Sequence, residues 1–331
     1  PEGAPGRLAV ALADATMHLL GMHGRELATP FQFKTAPTAL HFAQQQAGTA
    51  RLYTAHLSRT NGTLHLSGLL LPPERHGQVK AGRLAPRYRL VRELDVALAW
   101  ETAIPPWLDG GKTSPTSRAA AQSALARRAT GSRLELVALE SVRRAGGASR
   151  GGDVTSLLAV RSDGLLLLMS GHPSSRRAVP TGVDRVTSVA VSHQDVAVAS
   201  SSRIAVLNVA KFGKPRECDV PEGALISAVA YDPLARKLLY ALGTDGTLHV
   251  FNVRVPSAPE ESGGREATSK LHCAHLFSES RWRSSVAGRG GAGTGSLAAM
   301  PGYLLAVVSE RFLVWNMTTA YRSRVAEGVD L

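Results

Sequence analysis

The feature that most constrains this chain is a short hairpin that recurs along it. Residues 238–253 read LLYALGTDGTLHVFNV, two apolar runs around the turn Gly243-Thr244-Asp245-Gly246. Asp-Gly between alternating apolar runs is a strong hairpin signal, because both residues tolerate the positive φ that tight turns require. The form returns at 195–209 (DVAVASSSRIAVLNV) and at 303–317 (YLLAVVSERFLVWNM). A chain made of such units folds as short antiparallel strands, and their spacing sets how they assemble.

Strand-like runs begin at once. Leu8–Leu12 and Met17–Leu20 flank a turn at Ala13-Asp14-Ala15, and a third run follows at Arg25–Phe33. Thr38–Phe42, Arg51–Leu57 and Thr63–Leu71 come next, with the turn Thr60-Asn61-Gly62 between the last two. Residues 72–150 are less regular. Tyr88–Trp100 reads as a strand, Thr116–Ala129 as the one helix, capped by Ser117 and ended by Gly131, and Arg133–Val142 as a strand with a helix as the alternative. This stretch is expected to hold one degenerate sheet with a large insertion. From Val154 onward, runs near ten residues apart continue to Met317, interrupted by polar Pro/Glu/Gly and Gly/Arg loops at 256–268 and 283–295.

The central turns fall at positions 14, 61, 163, 202, 245 and 310, so the intervals are 47, 102, 39, 43 and 65. A period of about 40–45 with four strands per unit is that of a β-propeller. The expected fold is all-β: a propeller of about seven four-stranded blades, six visible and one degenerate, with a helical insertion near 116–129. The expected organisation is a single domain over 1–331, with inserted segments at 101–152 and 255–295. The physical logic is that a four-stranded sheet cannot cover both faces alone, and stacking sheets around an axis covers both.

The third-strand endings Val206-Leu207-Asn208, Val250-Phe251-Asn252 and Val314-Trp315-Asn316 resemble those of the WD40 repeat family, and the turns at Asp163 and Asp245 fit the same family. The resemblance is good over 153–317. It implies repeat-defining structural roles for Asp163, Asn208, Asp245, Asn252, Trp315 and Asn316. The chain departs from the family in its one Gly-His pair, Gly171-His172, which follows a hairpin, and in N-terminal units that end in Gly21 and Gly68. The hydrogen-bonded tetrad of such blades is therefore expected to be absent.

Composition narrows the partner. The formal charge is +12 over 331 residues, and only seven of the 38 basic residues are lysines. Arginine suits bidentate contact with phosphate or carboxylate, although a bias toward Ala, Gly and Arg codons explains the same excess. The arginines Arg118, Arg127, Arg128, Arg133, Arg143, Arg144 and Arg150 mark the irregular insertion as the candidate contact for a protein partner, RNA or another acidic partner. No aromatic residues interleave with them, which argues against a platform for stacked bases. No apolar run is long enough to span a bilayer. The chain begins at Pro1 and is expected to be a fragment or a processed form.

Motifs for chemistry are weak. The Gly288–Gly295 run and Gly111-Lys112-Thr113 lack the strand–loop–helix setting of a phosphate cradle. His272-Cys273-Ala274-His275 places two ligand types on one strand face, with no second pair to complete a metal site. His18, His65 and His249 recur at one place in three hairpins, as repeat positions do. Gly147-Ala148-Ser149-Arg150-Gly151 matches a nucleophile pattern by letter but lies in a linker. No catalytic residues, metal or cofactor are expected. Cys218 and Cys273 permit one bridge in an oxidising compartment and are read in preference as two thiols of a reduced one, and Asn61-Gly62-Thr63 is a glycosylation sequon on a turn. The expected function is a non-enzymatic interaction scaffold within a larger assembly, in the cytoplasm. The alternatives are a propeller contacting RNA or phosphate in a ribonucleoprotein, and a luminal propeller of the secretory pathway.

Overall fold

The computed structural model describes residues 7–21, 26–44, 50–58, 63–71, 90–98, 134–144, 154–170, 176–192, 195–209, 215–235, 237–256, 271–279, 295–308 and 311–316. These form strands only, grouped in six antiparallel sheets. The first holds β1 (Arg7–Ala11), β2 (Thr16–Gly21) and β3 (Phe31–Gln32). The second holds β4 (Ala39–Gln44), β5 (Ala50–Leu57), β6 (Leu64–Leu70) and β7 (Val91–Leu98). The third holds β8 (Leu136–Arg144), β9 (Val154–Arg161), β10 (Leu165–Ser170) and β11 (Arg176–Pro180). The fourth holds β12 (Ser188–Ser192), β13 (Asp195–Ala199), β14 (Ile204–Asn208) and β15 (Arg216–Glu217). The fifth holds β16 (Ile226–Tyr231), β17 (Leu238–Gly243), β18 (Leu248–Pro256) and β19 (Leu271–Glu279). The sixth holds β20 (Gly295–Met300), β21 (Tyr303–Val308) and β22 (Arg311–Asn316).

Side-chain alternation explains the stacking. In β13 every residue is buried, yet alternate side chains enter different cores. Val196 and Val198 face the third sheet, while Ala197 and Ala199 face the fifth. The same division holds in β10: Leu166 and Leu168 pack toward the fourth sheet, Leu165 and Leu167 toward the second. Such strands read as continuous apolar runs because both faces are covered. Five cores result, one between each pair of successive sheets. The first strands pack side by side in the order β4, β8, β12, β16, β20, so the sheets radiate from a shared inner row.

The degenerate sheet expected within 72–150 is not a separate sheet. Strand β7 completes the second sheet beside β6, β8 opens the third beside β9, and β4 packs directly on β8. The 102-residue interval is thus a single repeat. Part of the 101–152 insertion, residues 136–144, is core strand, and the strand reading of that segment holds over its helical alternative. The helix expected at 116–129 lies outside the described residues.

Two outer strands are shorter than expected. Of Arg25–Phe33 only Phe31–Gln32 pairs in a ladder, after Pro30, which has no N–H to give. Of Pro215–Val220 only Arg216–Glu217 does so. The end sheets have three strands each. The β1–β2 hairpin corresponds to the second and third strands of the other sheets, so the first sheet lacks an inner strand and the sixth lacks an outer one among the described residues.

Candidate functional site

Of the residues singled out by the repeat, Asp163 and Asp245 serve turns. At the β9–β10 turn, Arg161 Nε and Nη2 donate to the two carboxylate oxygens of Asp163 (2.9 and 2.8 Å), and both side chains are largely buried. Gly164 follows at φ 81°, and a Cβ there would lie 1.9 Å from the Val183 carbonyl oxygen, so only glycine fits. At the β17–β18 turn, Asp245 accepts from the Thr247 N–H (2.9 Å) and hydroxyl (2.7 Å). Asn252 is buried and accepts the Arg254 N–H (3.1 Å). Trp315 is buried against the fifth sheet, and Asn316 is exposed at the end of β22.

Asn208 leads to a cluster that sequence reading missed. Its amide donates to Asp195 Oδ1 (2.9 Å), and Asp195 is only 1% exposed. Arg254, from the neighbouring sheet, donates to Asp195 Oδ2 (2.7 Å), and Arg216 Nη2 lies 3.6 Å from Oδ1. Arg216 also donates to the Val253 carbonyl across the same boundary (2.6 Å). Tyr231 lies beside this group, and burial, aided by the Asp195 charge, pushes its hydroxyl far above the usual tyrosine range. The signal for Asp195 was slight: one acid at the start of an apolar strand, opposite an Asn.

Cys218 and Cys273 form a disulfide between the outer strands of the fourth and fifth sheets (S–S 2.00 Å). This corrects the preferred reading of two free thiols in favour of the single bridge that was its alternative. A parallel bridge pairs their backbones and brings together residues 55 apart in sequence. It also removes Cys273 from any metal site. Its neighbour His275 packs edge-on to Phe251 and hydrogen-bonds Ser278 (2.9 Å). Ser278 is also 2.7 Å from His249, whose imidazole burial holds below the ordinary histidine value, with His275 adding to the effect. His18, His65 and His249 sit in three different sheets and are not brought together. Among the described residues no group of three metal-ligating side chains occurs.

Among the described residues, exposed large apolar side chains gather most on one face of the sixth sheet. Opposed residues in its ladders share a face, giving the rows Met300–Tyr303–Asn316, Ala298–Leu305–Val314 and Ser296–Val307–Phe312. Of these, Met300, Tyr303, Val307, Phe312 and Val314 are 40–64% exposed. The opposite face, with Leu304, Ala306, Leu313 and Trp315, is buried on the fifth sheet.

No family model matches the chain, and no curated protein matches it in sequence. Solved structures do share its architecture. BBS1N, solved in complex with ARL6DN, superposes with a TM-score of 0.53 at 11% identity, covering 95% of this chain and 75% of that one. The Pan2 WD40 domain of Neurospora crassa gives 0.50 at 8% identity, covering 94% and 74%. The fold is a β-propeller. Each sheet is a blade, and the first strands line a central channel.

That channel holds a cavity of about 410 Å³ bordered by five of these blades. Glu140 of β8, on the border of this cavity, lies 3.4 Å from His41 of β4. Burial lowers the His41 pKa and raises that of Glu140, so both are biased toward their neutral forms. Of the candidate arginines, Arg143 and Arg144 lie at the end of β8, opposite Thr155 and Val154. Arg118, Arg127, Arg128 and Arg133 lie outside the described residues, as does Asn61. Among the described residues no helix is long and apolar enough to cross a membrane.

Proposed function

We propose that this propeller is a non-enzymatic interaction scaffold, a subunit of a larger protein assembly. The observation that carries this reading is the uncovered face of the sixth blade, with Phe312 and Val314 at its centre. A polar-rimmed apolar face of this kind marks a contact surface. The occupant is a protein partner that lays apolar side chains on this face. BBS1N shows that a propeller of this shape holds a protein partner. The polar clusters of this chain also support binding over catalysis, since Asp163, Asp195 and Asp245 are taken up by turns and blade contacts. The inserted stretch 109–132 is a second proposed contact.

Affinity capture of the intact protein, compared with its Phe312→Asp variant, tests the reading. The expected result is a partner retained by the parent and lost by the variant at unchanged melting temperature. A parent that instead self-associates in sedimentation, with the variant monomeric, would make the occupant a second copy and overturn the reading.

The Cys218–Cys273 bond favours a second reading, a luminal or extracellular setting in place of the cytoplasmic one, because such bonds persist where the compartment is oxidising. Thiol labelling of protein denatured without reductant is expected to modify neither cysteine. Labelling of both would return the protein to a reducing compartment.

A further inference from the structure

We propose that the cleft between the first and second blades is an anion site that takes a phosphate monoester. The cleft encloses about 420 Å³ and is lined by Lys34, His56, His65, Ser67, Arg92 and Asp95, with Phe33 and Pro37 among its apolar walls. Its position follows from the alternation of the second blade. The face of β5 and β6 that carries Leu52 and Leu69 packs on Met17 and Leu19 of the first blade. Further along the same face the side chains turn polar, with His56 directly opposite His65 and ring centres 6.1 Å apart. The first blade does not fill that end, and the connection after β3, carrying Lys34, closes one side of the cleft.

The charge of the lining is uneven. Asp95 is its one carboxylate, and it is already engaged: Arg92 Nη1 donates to it at 2.6 Å and the Ser67 hydroxyl at 3.1 Å. Arg92 also lies over the Phe31 ring at 5.2 Å, which fixes the guanidinium in place. Its buried Nε has no hydrogen-bond partner among the described residues. With Asp95 neutralised in this way, Lys34, Arg92, His56 and His65 line one small volume with a positive balance. The Arg92 Nε–H is a buried donor without an acceptor among the described residues, and an anion removes that cost. A phosphoryl group supplies three oxygens, which matches donors arriving from separate strands better than the two oxygens of a carboxylate. A free phosphate and a phosphorylated side chain share this chemistry. The inference is independent of the sixth-blade face.

The test is calorimetric titration of the intact protein with inorganic phosphate and with O-phosphoserine, using serine as the uncharged-head control. The variants are Lys34→Ala and His65→Gln, with Lys237→Ala as a charge-matched change on the fifth blade. Saturable binding of phosphate is expected, weakened at least about tenfold by Lys34→Ala and unchanged by Lys237→Ala. Binding of O-phosphoserine as well upholds the monoester assignment. Binding of phosphate alone, or equal weakening by Lys34→Ala and Lys237→Ala, overturns it, as does no binding at millimolar ligand. Melting curves of each variant separate a lost site from a lost fold.

Discussion

Blades four and five are joined by a core, a disulfide and a buried carboxylate, whereas among the described residues the first and sixth blades each keep apolar side chains of one face exposed. At the first boundary, Tyr231, Phe251 and Val253 pack with Ala197, Ile204 and Val206 around the Cys218–Cys273 bond. At the ends, Leu8 and Leu12 on one blade and Phe312 and Val314 on the other remain exposed, and among the described residues no buried cluster joins them. The hairpins are the same in kind. The difference lies in what each blade can lean on, which teaches that in a propeller stability belongs to the boundaries between blades more than to the blades.

This contrast can be broken at its strong side first. Replacing both cysteines with alanine opens a 55-residue crosslink, worth about 4 kcal/mol in the chain-entropy account. A large fall in melting temperature is expected, and an unchanged melt would remove the bond from the account. Asp195→Ala comes next. It leaves Arg216 and Arg254 without their carboxylate at a partly buried boundary and is expected to cost about 3 kcal/mol in chemical denaturation. Acid has a smaller effect. Burial lowers the folded pKa of His41 and His249 below the ordinary 6.5. As pH falls through 6.5 the unfolded chain therefore takes up protons first, and stability drops by at most about 1.4 kcal/mol per pH unit per histidine. His249→Gln is expected to flatten that slope, measured by denaturation at several pH values. The smallest effect belongs to the open end: Phe312→Asp is expected to change stability by less than about 0.5 kcal/mol while abolishing capture of the partner.

Much of the fold is legible in the sequence because the hairpin carries two local signals at once, turn chemistry and alternation. The turns at Asp163 and Asp245 and the strands around them lie where those signals put them. Legibility fails where a decision is made between distant residues. Nothing local in Val91–Leu98 says that it closes the second blade, or in Leu136–Arg144 that it opens the third; only the direct packing of β4 on β8 settles it. Cys218 and Cys273 carry no spacing that announces a pair, since the outer strands of adjacent blades meet only in the assembled ring. The apolar run Tyr303–Val308 reads like the doubly buried strands of the middle blades. Among the described residues only one of its faces packs on another blade, which no local signal in the run announces. The phosphate cleft is hidden for the same reason, being formed by Lys34 of one blade and His65 and Arg92 of the next.

Hydrogen exchange across the whole chain, followed by mass spectrometry, tests the central claim that the propeller is held most firmly at the boundary between the fourth and fifth blades. The account predicts the slowest exchange in β13, β14, β17 and β18 and much faster exchange in β1 and β22. Equal protection of β1, β22 and β17 would show that the end blades are covered within the chain and would contradict it.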